Sequence, residues 1–408
     1  MKLLYICQYF GLPENAAGTR PYDLATSFYK EGIDVIVITS NSAFPNLKEM
    51  DSKWAYIERD GLKIHVLNCP YNQKMSYRQR INSFLRFLFY ASKKALSIKC
   101  DIVLATSTPL TVGVPALIKK WFGRTPFIFE VRDVWPEVPI KMGILKNRFV
   151  NWWLRLFEKT VYKNSSAIVP LSVGMEQNIR SRINLGSKKV VVIPNISNID
   201  RFEHINLNKV KALYPTDIEG KKVILYCGTA GRVNGIDYLV DLAKITQKID
   251  NSIIYCIFGK GSELEVVLDK AKETGTLNKT FFYGGSVAKD DLPTLYYAAT
   301  MGCSTVINNP VLWDNSANKF FDTLAAGKPM MINHEGWQAD TIRVHNCGIV
   351  MPPTITEEST YELIQYLNNP KMLKESGKNA KRLAIEEYSL TVARDKYLSI
   401  FRDALKNN

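Results

Sequence analysis

Short apolar runs rich in β-branched residues alternate with helical stretches along the whole chain of 408 residues. Runs of this length predict buried strands. In the first half they fall at residues 2–8, 34–39, 63–67, 101–105, 127–130, 166–171 and 189–193, and in the second half at 222–227, 252–258, 280–283, 301–306 and 329–332. Buried strands separated by helices are typical of parallel, doubly wound sheets. We therefore expect an α/β protein with two Rossmann-like domains whose parallel sheets face each other across a cleft.

The pattern also predicts the domain boundaries. Pro194-Asn195 follows a predicted strand and is a plausible hinge, so we expect domains over residues 1–195 and 196–385. The last segment is strongly helical and is interrupted only around Tyr388-Ser389. We expect a C-terminal helix over 386–408, which could cross back to the first domain. Ligands of open α/β sheets bind beyond the carboxyl ends of the strands, so the chemistry is expected in the cleft.

Composition narrows the class of protein. Hydrophobic residues make up 46% and charged residues 23% of the chain, which excludes disordered, collagen-like and coiled-coil proteins. No apolar run approaches the ~18–20 residues that span a bilayer, and no signal peptide is recognisable. The seven cysteines are scattered and never spaced as Cys-x-x-Cys, which indicates reduced thiols and no zinc site. These features favour a soluble cytoplasmic protein.

The formal charge of +14 belongs entirely to the first half, which has 28 basic and 14 acidic residues up to Asn195 against 25 of each after it. It peaks between Lys74 and Lys99, where there is no acidic residue and where apolar positions 81, 84, 88, 91, 95 and 98 form one helical stripe. One interpretation is a core helix with a solvated basic face. The other is a helix on anionic lipid, with cations at the headgroups and aromatic rings between them: Arg78, Arg80, Phe84, Arg86 and Phe87. Nucleic acid is less favoured, because no nucleic-acid-binding module accompanies the charge.

Three loop motifs suggest anion binding. The first surrounds Gly18, between a predicted strand and helix, and the second is the glycine-rich stretch 226–235, which contains Arg232. The third has two carboxylates eight residues apart, Asp314 and Asp322, on either side of a predicted helix start. A helix N-terminus with nearby amides and an ammonium group suits a diphosphate. Those groups belong to Ser316, Ala317, Asn318 and Lys319. Each motif alone is weak evidence.

Taken together, and with Phe-Glu-Val-Arg-Asp-Val-Trp-Pro-Glu at 129–137, Val-Ile-Pro-Asn at 192–195 and Phe-Gly-Lys-Gly at 258–261, the motifs resemble a family 4 retaining glycosyltransferase of the GT-B fold. The resemblance covers essentially the whole chain and is greatest to bacterial enzymes of O-antigen and capsule synthesis, the N-acetyl-fucosamine transferase type among them. It implies transfer of a sugar, an N-acetylated or deoxy hexose, from a UDP-sugar to a polyprenyl-diphosphate-linked sugar. The first domain would then bind the acceptor at the inner face of the membrane, and the second the nucleotide-sugar. No metal or other cofactor is expected.

The resemblance also implies roles for individual residues. The paired acidic motif of the family falls on Asp314 and Asp322, with Asp in place of Glu at both positions. Asp322 would hold the ribose hydroxyls and Asp314 would contact the donor sugar. Gly18 would face the phosphates, the amides of residues 316–318 would hold the β-phosphate and hexose, and the base would lie near Gly259, Lys260, Gly285 and Ser286.

The chain departs from the family pattern in two places. Thr229 and Asn234 stand where many members have an Arg and a Lys that bind the diphosphate, so Lys319, Arg232 and backbone amides would have to compensate. Arg132 stands where a histidine often lies near the acceptor, so Asp133 or Glu130 is expected to contact the acceptor hydroxyl, although Arg132 and Asp133 could instead pair structurally. The alternatives are a nucleotide-sugar epimerase of the same fold, a transferase with a small soluble acceptor, and a two-lobed binding protein without enzymatic activity.

Overall fold

The computed structural model describes residues 1–14, 18–44, 47, 52–69 and 75–406. Residues 15–17 of the first loop motif, and Lys74 of the basic segment, lie outside the described residues. The chain divides into two compact units. Of the described residues, the first unit contains 1–12, 18–194 and those from Leu390 onward. The second unit contains Asn195–Ser389 together with residues 13 and 14.

The first unit is built on an eight-stranded sheet. Its strands are β1 (Lys2–Ile6), β2 (Asp34–Ser40), β3 (Trp54–Arg59), β4 (Leu62–Leu67), β5 (Ile102–Thr106), β6 (Phe127–Val131), β7 (Ala167–Pro170) and β8 (Lys189–Val190). Their order is β3-β4-β2-β1-β5-β6-β7-β8, and every pair is parallel except β3 with β4. The seven strands predicted for this half are confirmed, and β3 was missed. Its signal was the Asp60-Gly61 turn, where both residues have positive φ, as a two-residue hairpin requires.

Six helices complete the first part of this unit: α1 (Arg20–Lys30), α2 (Tyr77–Ser97), α3 (Gly113–Gly123), α4 (Glu137–Lys141), α5 (Arg148–Asn164) and α6 (Val173–Arg182). α2 begins with a capping box, in which the Ser76 and Gln79 side chains each accept a hydrogen bond from the other residue's backbone N–H. α2, α3, α5 and α6 contribute side chains to one hydrophobic core with one face of the sheet.

The buried stripe of α2 agrees with the predicted one at Ala91, Ala95 and Ile98 and differs from it nearer the start of the helix. Its core residues are Phe87, Ala91, Ala95 and Ile98, whereas Ile81 is exposed. Phe87 is fully buried, so its predicted insertion into lipid is wrong, because the side chain already packs in the protein core. The outward apolar residues of α2 are instead Ile81, Leu85, Phe89 and Leu96.

The second unit contains a six-stranded, wholly parallel sheet of β9 (Lys222–Cys227), β10 (Ile253–Phe258), β11 (Phe281–Tyr283), β12 (Met301–Ser304), β13 (Met330–Ile332) and β14 (Gly348–Val350), in the order β11-β10-β9-β12-β13-β14. The five predicted strands are confirmed. The sixth, β14, has only three residues, all half-buried, and was missed. The helices are α7 (Val210–Leu213), α8 (Asp237–Ile249), α9 (Leu264–Glu273), α10 (Leu292–Ala298), α11 (Asn318–Ala325), α12 (Trp337–His345), α13 (Glu357–Leu367) and α14 (Pro370–Glu386).

The last helix, α15 (Leu390–Lys406), belongs to the first unit. The Phe28 ring of α1 lies 5.7 Å from Tyr397 and 5.3 Å from Phe401, centre to centre, and Arg394 pairs with Glu31 at 2.8 Å. Aromatic packing thus fixes α15 on α1. In the described part of the chain, no helix is both long and apolar enough to cross a bilayer.

Candidate functional site

The carboxyl ends of β9, β10 and β11 carry turns that are joined through their backbones. Gly228 N donates to Phe258 O at 2.9 Å, and Gly259 N donates to Gly285 O at 2.7 Å. A Cβ atom on Gly259 would lie 1.8 Å from Gly228 O, and the φ of Gly259 is +138°, so this position requires glycine. The three turns therefore form one hydrogen-bonded backbone surface at the carboxyl edge of the sheet, which is where open α/β sheets bind ligands.

Several predicted donor-binding residues lie in these turns. Arg232, Lys260 and Ser286 have exposed side chains there, and Lys260 O accepts a hydrogen bond from Ala230 N at 3.0 Å. The structure therefore brings the second loop motif and the predicted base-binding residues to the same edge of the second unit.

Lys319 lies beneath the turn that follows β9. Its Nζ is 3.5 Å from Asn234 Oδ1 and 4.9 Å from the centre of the Tyr226 ring. A Cβ atom on Gly228 would lie 2.9 Å from Lys319 Cε, so the glycine leaves room for the lysine. Within the described residues, no carboxylate forms an ion pair with Lys319, although its side chain is buried.

Burial lowers the pKa of Lys319 to about 8, against 10.5 for an ordinary lysine. Desolvation disfavours the charged form, and the nearby Cys303, Asp322 and Cys227 offset this only in part. An anion bound beside Nζ would supply the missing countercharge. The first amides of α11, which have no partner within the helix, point in the direction favourable to the same kind of ligand.

Asp322 is buried on α11, one turn beyond Asn318, and forms an ion pair with Lys289. Lys289 lies in the turn that precedes α10 and is itself buried. Sequence reasoning missed Lys289, because no local motif marks a pairing between residues 33 positions apart. Asp314 lies half-buried in the loop before α11.

That loop is held in place by two side chains. Asn195 N donates to Ser316 Oγ at 3.0 Å, and Asn195 Nδ2 donates to Ser316 O. Trp337 Nε1 donates to Asn315 O at 2.9 Å. Asn195, expected only as a hinge, thus also positions the segment that contains Ser316 and Ala317.

In the first unit, Asp133 lies just beyond β6 with an exposed side chain. Its Oδ2 accepts a hydrogen bond from Thr108 Oγ1 at 2.7 Å, and Arg132 N donates to Ser107 Oγ at 2.9 Å. No ion pair joins Asp133 to Arg132 among the described residues, so the structural pairing considered from sequence is wrong. Asp133 remains accessible at the carboxyl edge of this sheet.

Glu130 was expected as an alternative contact to the acceptor, and the structure corrects this. Glu130 is fully buried, and its Oε1 accepts a hydrogen bond from Arg20 Nε at 2.5 Å. Arg20 also donates to Ile193 O at 3.0 Å and Pro194 O at 2.5 Å. The carboxylate is therefore neutralised away from solvent, and it positions the arginine that ties α1 to the end of this unit.

Gly18 lies two residues before Arg20, in the first unit, and its predicted contact with phosphates stays a prediction. No group of three or more His, Cys, Asp or Glu side chains that could hold a metal ion is found within residues 1–14, 18–44, 47, 52–69 and 75–406.

Comparison with known proteins gives the family. Residues 15–196 match the family described as "Glycosyl transferase 4-like domain", and residues 215–383 match "Glycosyl transferases group 1". The chain is 25% identical over 266 residues to the putative colanic acid biosynthesis glycosyl transferase WcaI of Escherichia coli (strain K12), covering 62% of this chain and 64% of WcaI. It is 21% identical over 201 residues to the probable glycosyltransferase WbjE of Pseudomonas aeruginosa, covering 49% of each chain. The chain thus spans less than two thirds of the length of these relatives.

Solved structures agree on the fold. Sucrose-phosphate synthase from Thermosynechococcus elongatus superimposes with a TM-score of 0.77 at 13% identity, and HepE of Anabaena in complex with UDP-glucose with a TM-score of 0.71 at 14% identity, each covering 100% of both chains. At such identities the likeness concerns the fold alone. The two family matches fall on the two α/β units in turn and together span most of the chain. Residues 15–196 therefore form a glycosyl transferase 4-like domain, residues 215–383 belong to the group 1 glycosyl transferases, and the chain has the two-domain GT-B fold.

Proposed function

We propose that this protein transfers a sugar, with retention at the anomeric carbon, from a UDP-sugar to a polyprenyl-diphosphate-linked sugar during synthesis of a bacterial surface polysaccharide. The sugar would be an N-acetylated or deoxy hexose. The names of WcaI, a colanic acid enzyme, and of WaaG, described as involved in lipopolysaccharide biosynthesis and similar in fold with a TM-score of 0.67, support this class of product. The second unit binds the donor in this proposal, and the first binds the acceptor.

The observation that carries the proposal is the buried ammonium of Lys319 beside the start of α11. No carboxylate in the described residues forms an ion pair with it, and its side chain packs directly against the Gly228 turn, where a Cβ atom would come within 2.9 Å of Lys319 Cε. A nucleoside diphosphate fits this environment, because its phosphates supply the countercharge and accept hydrogen bonds from backbone amides. In this proposal Asp322, on the same helix, exchanges its ion pair with Lys289 for hydrogen bonds from the ribose hydroxyls.

The chemical step would depend on stabilising the departing diphosphate. Lys319 and the amides at the start of α11 provide positive charge without a metal ion in this proposal. A preorganised donor at developing negative charge is worth roughly 3–4 kcal/mol of transition-state stabilisation. The leaving phosphate takes the proton of the acceptor hydroxyl, and Asp133 orients that hydroxyl from the first unit.

Thermal unfolding with and without UDP, in the presence of a chelator, tests the donor site. Ligand at a hundred times Kd stabilises the folded state by about 2.7 kcal/mol, which is readily seen as a shift in Tm. We expect stabilisation of the wild-type protein and a loss of most of it in Asp322→Asn, which removes the charge but keeps the side-chain volume. Asp340→Ala, an exposed carboxylate on α12, is the matched control and should respond as the wild type does. Absence of a shift with any nucleoside diphosphate would contradict the proposal.

The lipid-linked acceptor is supported by the basic face of α2, where Arg78 and Arg86 are exposed beside Leu85 and Phe89. Such a face suits the anionic inner leaflet, where the protein would bind peripherally. Reversing Arg78, Arg80 and Arg86 to Glu should abolish sedimentation with anionic vesicles and leave UDP stabilisation unchanged. Undiminished sedimentation of this variant would exclude α2 from a membrane role.

Product analysis separates the alternatives. An epimerase would convert the nucleotide-sugar without any acceptor, and a transferase with a soluble acceptor would work without a lipid carrier. The epimerase would also need an accessible histidine in addition to a carboxylate, and His334, just after β13, is 1% exposed. Anomeric NMR of the product determines whether the configuration is retained.

A further inference from the structure

The outward face of α5 carries three large aromatic side chains in its first two turns. Phe149, Trp152 and Trp153 are 69%, 57% and 56% exposed. Their rings contact one another, with centres 6.2 Å apart for Phe149 and Trp152 and 6.3 Å apart for the two tryptophans. Aromatic side chains of this size normally bury 150–250 Å² each, so a solvent-exposed cluster of three indicates an interaction surface.

Two further exposed aromatic side chains lie at the end of α3, beside the last residue of α5 and about 16 Å along that helix from Trp153. Trp121 and Phe122 are exposed there, Phe122 to 76%. Lys120 Nζ donates to Asn164 O at 2.6 Å and Trp121 Nε1 donates to Asn164 Oδ1 at 3.4 Å, so the ends of α3 and α5 are bonded together. These two rings are therefore separate from the cluster, and we call the three side chains in mutual contact, Phe149, Trp152 and Trp153, the aromatic surface.

The charge around the aromatic surface has one sign. Residues 137–164 contain six cations and two acids, of which Glu137 is buried and accepts a hydrogen bond from Arg155 at 3.0 Å. Glu158 is fully buried, and both of its oxygens accept hydrogen bonds from Arg182, at 2.8 and 2.9 Å. The exposed charges of this segment are therefore all positive, and Lys146 and Arg148 flank the cluster directly.

Exposed aromatic rings surrounded by positive charge fit the surface of an anionic bilayer. Tryptophan prefers the boundary between headgroups and acyl chains, where its ring meets lipid and its N–H meets water. Basic side chains around it are attracted to anionic headgroups. A second copy of the chain would present the same positive charges and would be repelled.

The topology places the aromatic cluster at the carboxyl edge of the sheet in the first unit. α5 returns the chain from the carboxyl edge of the sheet after β6 to its amino edge before β7, and it is about 25 Å long. Phe149, Trp152 and Trp153 are in its first turns, at the edge where Asp133 lies. A bilayer seated on the cluster would therefore adjoin the proposed contact with a lipid-linked acceptor.

We propose that the aromatic surface is a docking surface for an anionic bilayer, so that the start of α5 holds the first unit on the membrane together with the basic face of α2. This inference rests on the proposed function, because it supplies the route by which the enzyme reaches a lipid-linked acceptor. The tryptophans enter the interfacial layer, and the surrounding lysines and arginines contact the headgroups.

Vesicle partitioning tests the proposal. Purified protein is titrated with vesicles of phosphatidylglycerol and phosphatidylcholine, and bound protein is measured by sedimentation and by quenching of tryptophan fluorescence by brominated lipid. We expect Trp152→Gln with Trp153→Gln to weaken partitioning roughly tenfold or more, since two interfacial aromatic rings are lost. Lys146→Glu with Arg148→Glu should weaken it as well, by roughly fivefold for each charge removed. The control, Val344→Gln with Tyr361→Gln, changes two exposed apolar side chains of the second unit and should partition as the wild type does.

Undiminished partitioning of the tryptophan variant would overturn the proposal. So would a wild-type dimer that dissociates in this variant while vesicle binding persists, because the surface would then join two copies of the chain. UDP stabilisation provides the separate test of the proposed function. Stabilisation by UDP without vesicle binding overturns the docking surface alone, whereas tryptophan-dependent vesicle binding without UDP stabilisation supports the surface and removes the transferase.

Discussion

Lys319 should make the affinity for UDP depend on pH. Burial lowers its pKa to about 8 in the ligand-free protein. Only the ammonium form attracts a diphosphate, and the bound phosphates would in turn raise the pKa of the lysine in the complex. The Kd for UDP should therefore be nearly constant below pH 8 and should rise above it, as the lysine must first gain a proton in order to bind.

The size of the effect follows from the titration. With a pKa near 8, about nine tenths of the side chains are charged at pH 7 and about one tenth at pH 9, so Kd should rise about tenfold, or about 1.4 kcal/mol. The stability of the ligand-free protein should increase with pH, whereas the affinity for UDP falls. The unfolded chain binds more protons than the folded one between the folded pKa of about 8 and the ordinary value of 10.5, so stability increases with pH in that window. Below it, burial of the charged lysine costs about 3 kcal/mol.

Isothermal titration calorimetry with UDP at about pH 7, 8 and 9 measures the effect. Lys319→Met is the control, because it keeps the volume of the side chain and removes its charge. The variant should bind UDP more weakly at pH 7 and should lose the part of the pH dependence that belongs to the lysine, leaving only ionisation of the nucleotide. Its ligand-free form should be more stable than the wild type at pH 7, because a buried charge without a partner has been removed. The reasoning is refuted if wild type and variant show the same pH dependence, or if the wild-type Kd does not change up to pH 9.

The remaining predictions concern the buried ion pairs Lys289–Asp322 and Arg20–Glu130, and the exposed Asp133. Lys289→Met leaves Asp322 buried without its partner and should destabilise the ligand-free protein by about 3–5 kcal/mol in urea unfolding. The loss should be smaller in UDP-saturated protein and in Lys289→Arg; an equal loss with and without UDP would show that Asp322 does not exchange Lys289 for the ribose. Glu130→Gln should destabilise by a similar amount, because Arg20 loses its countercharge, whereas Asp133→Asn should change stability by less than ~0.5 kcal/mol and lower kcat. Wild-type stability together with lost turnover in Glu130→Gln would restore that residue as a contact to the acceptor.

Much of the fold could be predicted from the sequence because its strands are buried apolar runs. β3 was missed because, as an edge strand, it mixes exposed and half-buried residues, and β14 because it is only three residues long. The start of α11 and the glycine turns could be predicted as well, because each is a local feature of a few consecutive residues. Local signals are sufficient where the backbone itself forms the site.

Side-chain pairings could not be predicted, because they depend on which distant residues the fold brings together. Arg20 and Glu130 are 110 residues apart, and Lys289 and Asp322 are 33 apart. Glu130 and Asp133 are only three residues apart, yet the sequence did not reveal that one of them is buried and the other exposed. Glu130 lies inside β6 and faces the core, whereas Asp133 lies beyond the strand and remains exposed.

The buried charges of the chain differ in how well they are compensated, and the difference bears on function. Arg20 with Glu130, and Lys289 with Asp322, are buried with a partner of opposite charge, and such pairs repay part of their desolvation within the protein. Lys319 instead lies 3.5 Å from the amide oxygen of Asn234 and over an aromatic ring, which leaves its charge poorly compensated. A fold that keeps about 3 kcal/mol of such destabilisation at pH 7 would recover it by binding an anion. The unmatched charge of Lys319 therefore supports a phosphate ligand more directly than the paired charges, which are already satisfied.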